Sequence, residues 1–134
     1  MAHDVLHPSG WKPARGYANG IAARGRMVFT GGLVGWTGDC VFETDDFAAQ
    51  AAQALRNIVA VLAEGGAGPE HLVRLTWYVT DKRAYLDSLR DLGRAYREII
   101  GTHYPAMALV QVVALVEDRA LVEIEATAVV PDAP

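Results

Sequence analysis

Leu72-Val73-Arg74-Leu75-Thr76-Trp77-Tyr78-Val79-Thr80-Asp81 is the stretch that decides the fold. Val73, Leu75, Trp77 and Val79 fall on one side; Arg74, Thr76, Tyr78 and Thr80 fall on the other. A period of two over this length predicts a strand with one face in the core. Asp81 then ends the alternation and supplies a helix cap. From there Tyr85, Leu89, Leu92, Tyr96 and Ile99 recur at helical spacing until Gly101 stops them. A strand followed by an amphipathic helix is half of a layered domain.

Toward the N-terminus the same logic repeats. Thr44-Asp45-Asp46 offers a cap and negative charge for a first turn, and Phe47, Ala51, Leu55, Ile58 and Leu62 form a second helical stripe. Gly65-Gly66 and Gly68-Pro69 end it. Two strands are predicted earlier, over residues 16–22 and 27–35. Gly31-Gly32 interrupts the second, which suggests that backbone or ligand comes close there. Toward the C-terminus, strands are predicted over 106–116 and 121–130, with Glu117-Asp118-Arg119 as the turn of a hairpin.

The order β-β-α-β-α-β-β gives an α+β domain over residues 1–134, with two helices on one face of a mixed sheet. In the strand from Ala106, Met107, Leu109, Val113 and Leu115 alternate with Ala108, Val110, Val112 and Ala114, so both faces are apolar. A sheet covered by helices on one side and apolar on both calls for another subunit, and a homo-oligomer is expected.

Composition narrows the function classes. A chain of 134 residues, 51% apolar, fits one domain with a real core. Its formal charge of -4 argues against the basic face that nucleic acid or an anionic membrane requires. No stretch has the length of a membrane span or the pattern of a signal peptide. Cys40 is the only cysteine, so an intrachain disulfide is excluded and a reducing cytoplasm is the expected compartment. His3, His7, His71 and His103 have no metal-ligand spacing, and neither a metal nor another cofactor is expected.

Several separate segments, in order along nearly the whole chain, together resemble the RidA/YjgF family. They are Gly16-Tyr17-Ala18-Asn19-Gly20, Phe29-Thr30-Gly31-Gly32, Gln53-Ala54-Leu55-Arg56-Asn57-Ile58, Thr76-Trp77-Tyr78-Val79-Thr80-Asp81, Tyr104-Pro105-Ala106 and Val122-Glu123-Ile124-Glu125-Ala126. The resemblance implies a chorismate-mutase-like fold assembled as a barrel-cored homotrimer, with small-molecule pockets between subunits. It implies hydrolysis of reactive imines and enamines, with release of ammonia. Some relatives are described as endoribonucleases, a reading the acidic charge here disfavours.

In that family an arginine directly after Tyr/Phe-Pro-Ala grips the substrate carboxylate, a glutamate on the last strand positions or polarises water, and a tyrosine near the N-terminus completes the pocket. Carried onto this sequence, the glutamate is Glu123, the tyrosine is Tyr17 and the strand glycines are Gly31 and Gly32. The arginine position is Met107, and the family's cysteine two places on is Leu109. Losing a charge-assisted pair removes roughly 1.5–3 kcal/mol of binding. The resemblance therefore implies a re-lined pocket with altered specificity, or a trimeric metabolite binder without catalysis.

Other candidates have a plain reading beside the functional one. Arg90 is a surface arginine pairing with Asp87, or a replacement cation reaching the pocket. Gln111 is an amide satisfied within an interface, or a ligand contact. Trp36 is a loop aromatic or a pocket lid. His103 is a loop histidine or a base near neutral pH. Cys40 has no histidine near it in sequence, which disfavours a nucleophile.

Overall fold

The computed structural model describes residues 3–133. Its main sheet has five strands: β3 (Arg26–Phe29), β4 (Leu33–Val34), β5 (Leu72–Val79), β6 (Ala106–Gln111) and β7 (Val122–Val130). The spatial order is β3-β7-β5-β6, with β4 also paired to β7. A separate two-stranded ribbon joins β1 (Asp4–Leu6) to β2 (Gly20–Ala22). The helices are α1 (Phe47–Glu64), α2 (Lys82–Asp87) and α3 (Leu89–Ile99), with a short 3-10 turn at Pro69–His71. This is the expected mixed α+β architecture, with its two main helices against one face of the sheet.

The core is where the two periodicities meet. Leu55, Ile58 and Leu62 of α1 pack with Leu72, Leu75, Trp77 and Val79 of β5, Val122, Ile124 and Ala126 of β7, and Leu92 and Tyr96 of α3. Burying each large aliphatic side chain contributes roughly 1.5–3 kcal/mol. The Asp46 carboxylate accepts from the Ala49 amide at 2.9 Å and starts α1. Gln50, fully buried, ties that helix to the sheet. Its amide donates to the Thr44 and Arg119 carbonyls, both at 3.0 Å, and accepts from the Leu121 amide at 2.8 Å.

Four expectations need correction. First, residues 106–116 and 121–130 do not form a hairpin. β6 runs parallel to β5, β7 runs antiparallel to it, and β5 lies between them. β6 ends at Gln111 because its partner ends at Val79; the Val112 amide makes one last bond to the Val79 carbonyl. Val113 and Val116, both within the predicted strand 106–116, stand exposed in the loop.

Second, the helix after Asp81 is two helices. The Ser88 hydroxyl donates to the Ala84 carbonyl at 2.7 Å and the chain turns there. Third, the run 27–35 breaks at Thr30, whose hydroxyl accepts the Ala126 amide at 3.0 Å in place of a backbone carbonyl. β4 resumes after the glycines, while the predicted strand 16–22 shrinks to β2. Fourth, a register shift between Leu72 and Arg74 leaves Val73 half-buried and puts Leu72 in the core instead.

Candidate functional site

β6 is the edge strand of the main sheet, and this makes a cleft. Its start is bordered by the segment before β2: Ala18 bridges to Ala106, and the Ala18 amide donates to the Pro105 carbonyl at 2.9 Å. That contact brings Tyr17 beside Tyr104 and Met107. Register with β5 sets Met107 and Leu109 level with Leu75 and Trp77, on the helix side of the sheet. α3 closes the other wall with Leu89, Leu92, Gly93, Tyr96 and Arg97. The resulting cleft holds about 550 Å³, and Arg15 also lines it. That size lies within the roughly 300–1,000 Å³ typical of small-molecule sites.

The cleft is built rigidly. Tyr96 stacks on Tyr104 with ring centroids 5.0 Å apart. The Tyr96 hydroxyl donates to the His103 carbonyl at 2.6 Å, and burial raises its pKa well above the ordinary 10.0. The His103 ring donates to the Leu72 carbonyl at 2.7 Å, so it holds the 101–105 loop in place. Trp77 lines the cleft edge-on to Tyr85. Its buried indole N–H is the one buried side-chain polar atom without a partner among the described residues.

Glu123 lies on the other side of the sheet. It pairs in register with Tyr78, whose β6 neighbour is Val110, so these three share the face away from the helices. Its carboxylate rests against Gly32. A Cβ at Gly32 would run into Oε2 and stand 2.9 Å from Cδ and 3.1 Å from Cγ. Only glycine leaves that carboxylate where it is. Gly31 has open space beside it. Next along the same face, the Tyr78 hydroxyl donates to Glu125 Oε1 at 2.8 Å. That bond raises the Tyr78 pKa above 10.0, helped by desolvation and by the charges of Glu125 and Glu123. The face also carries Met27 and Phe29, 57% and 64% exposed, which is unusual for large apolar residues in strands.

The residues singled out in the sequence thus fall into separate places. Tyr17, Met107 and Leu109 share the cleft; Gly32 and Glu123 share the far face. Arg90 is exposed on α3 and is not part of the cleft wall, and Asp87 pairs instead with Arg83 at 3.8 Å. Gln111 accepts the Lys82 amide at 2.8 Å and so helps to start α2. Trp36 lies in a second hollow with Phe42 and Arg119. Cys40 is exposed in that loop, with φ 61. Among the described residues, no group of three or more His, Cys, Asp or Glu side chains is placed to hold a metal ion.

Sequence reasoning missed Arg97, Arg15 and Tyr85. Arg97 could have been found: Leu89, Leu92, Gly93, Tyr96 and Arg97 lie at helical spacing on one face of α3.

The architecture has close counterparts. Residues 9–130 match the family model described as Endoribonuclease L-PSP. A RutC family protein of Pyrococcus abyssi is 32% identical over 120 residues, which cover 87% of this chain and 88% of that one. YyfB of Yersinia pestis, a Rid family protein of unknown function, superposes with a TM-score of 0.86 at 29% identity, over 97% of this chain and 100% of its own. E. coli TdcF, solved with bound serine, gives a TM-score of 0.66 at 29% identity over 91% of each chain. With a family-model match over residues 9–130, a relative of this identity and a superposition this close, the chain belongs to the RidA/YjgF family.

Proposed function

We propose that this protein hydrolyses the C=N bond of a small imine, or of the enamine in equilibrium with it, at a site completed by a second copy of the chain in a homotrimer. Water adds to the electrophilic carbon and forms a C–O bond. The C–N bond then breaks, and the products are a ketone and ammonia. Glu123 orients the water and passes its proton toward the departing nitrogen. Tyr17 holds the substrate from the cleft side, beside Met107 and Leu109.

The observation that carries this reading is the carboxylate of Glu123 set against Gly32, in space that any larger residue at 32 would take from it. Support for a shared site comes from the split geometry. Tyr17 and Met107 lie on the helix side while Glu123 lies on the far face, so one chain does not bring them together. A second copy seated on the exposed Met27 and Phe29 face would bury apolar surface and bring a glutamate to its neighbour's cleft. TdcF, similar in fold, was solved with serine, a ligand of amino-acid size.

Ribonuclease chemistry fits less well. The chain's formal charge is -4, and Glu123 and Glu125 add negative charge side by side on the face away from the helices, where a phosphate backbone would be repelled. A single exposed cysteine suits a reducing cytoplasm. No helix among the described residues is long and apolar enough to cross a membrane.

The test is ammonia release from imines generated in situ, with sedimentation of the same sample. The expected result is a trimer that accelerates hydrolysis, with the rate lost in Glu123→Gln. A monomer at micromolar concentration, or full activity in Glu123→Gln, would overturn the proposal.

A further inference from the structure

We infer that the cleft selects acids with a bulky aromatic or branched side group, and that Arg97 has taken over the carboxylate grip from position 107. This rests on the hydrolase reading only for the reaction; the binding claim stands on the cleft itself. The cleft of a single chain, about 550 Å³ before a neighbouring copy covers it, exceeds what a three-carbon imino acid fills. Its walls are Leu89, Leu92, Met107 and Trp77, which suit a ring or branched chain better than a methyl group. A small substrate there would leave apolar wall in contact with water.

The charge in the cleft is cationic. Arg97 and Arg15 line it, and among the described residues neither enters an ion pair. Gly93 lies one helical turn before Arg97, and a Cβ there would stand 3.3 Å from Nη1 of that arginine. The bare glycine leaves room for the guanidinium to lie along the cleft wall. A planar guanidinium there can hold a carboxylate through two parallel hydrogen bonds.

Calorimetry with the stable keto acids phenylpyruvate and pyruvate separates binding from chemistry. Phenylpyruvate is expected to bind at least about tenfold more tightly than pyruvate. Arg97→Gln should weaken it about tenfold or more, with Arg15→Gln the smaller loss. Both arginines are exposed, so neither variant threatens the fold. Equal affinities for the two acids, or an unchanged affinity in Arg97→Gln, would overturn the inference. Tight phenylpyruvate binding without hydrolysis of its imine would instead refute the hydrolase reading and leave this one standing.

Discussion

Adding one carbon at Gly32 tests the Glu123 assignment without touching Glu123. The new methyl of Gly32→Ala would overlap Oε2 of Glu123 and stand 2.9 Å from Cδ, inside van der Waals contact. The backbone at Gly32 is not in the left-handed region, so alanine fits there without strain. The flexible carboxylate must yield, by about an ångström, and a displacement of that size costs a catalytic group on the order of 10²-fold in rate. Stability should hold or rise slightly, by about 0.4–1 kcal/mol, because alanine restricts the unfolded chain. The assay is kcat/KM for hydrolysis of an imine generated in situ, with a thermal melt on the same preparation. Gly38→Ala, where a methyl group meets open space, is the control and should retain wild-type kinetics. If Gly32→Ala keeps kcat/KM within about threefold of wild type, the position of the Glu123 carboxylate does not matter and the mechanism is wrong.

Other expectations follow from the same geometry. Met107→Arg adds a second cation to a cleft that already holds Arg97, and should raise kcat/KM for 2-iminopropionate by up to about tenfold, the low end of a charge-assisted pair at roughly 1.5 kcal/mol; steady-state kinetics on that one substrate would show it. Gln50→Ala should destabilise by about 3 kcal/mol, since it strands the Leu121 amide and the Thr44 and Arg119 carbonyls; a lowered denaturation midpoint with an unchanged slope checks this. The folded-state pKa values of Tyr78 and Tyr96 are raised above 10.0, so their contribution is fully present below pH 10 and is lost as pH rises beyond it; urea titrations across that range should show the decline, reduced in Tyr96→Phe.

The elements with strong periodicity were legible: α1 from Phe47-Ala51-Leu55-Ile58-Leu62, and β5 from its alternation. What escaped was set by partners. β1, whose Val5 and Leu6 stay exposed, exists only because Asp4–Leu6 meets Gly20–Ala22. The apolar run after Gln111 reads as strand but has no strand left to pair with once β5 ends at Val79. Neighbouring β6 and β7 across a polar turn look like a hairpin, yet β5 comes between them, which no local pattern records. Of the proposed site, Tyr17, Gly32 and Glu123 were visible through motifs. Arg97 was hidden because an arginine on an amphipathic helix looks like any solvated face, and Arg90, two turns earlier, drew attention instead.

In the proposed trimer, Glu123 of one chain serves the cleft of another. Complementation decides it: two variants, Glu123→Ala and Tyr17→Ala, each expected to be inactive alone, are unfolded, mixed in equal amounts and refolded together. If each site draws on two chains, random assembly makes about a quarter of the sites whole, one half times one half, and about a quarter of wild-type hydrolysis returns. If the mixed trimers stay as inactive as their parents, the site lies within a single chain and the account is contradicted.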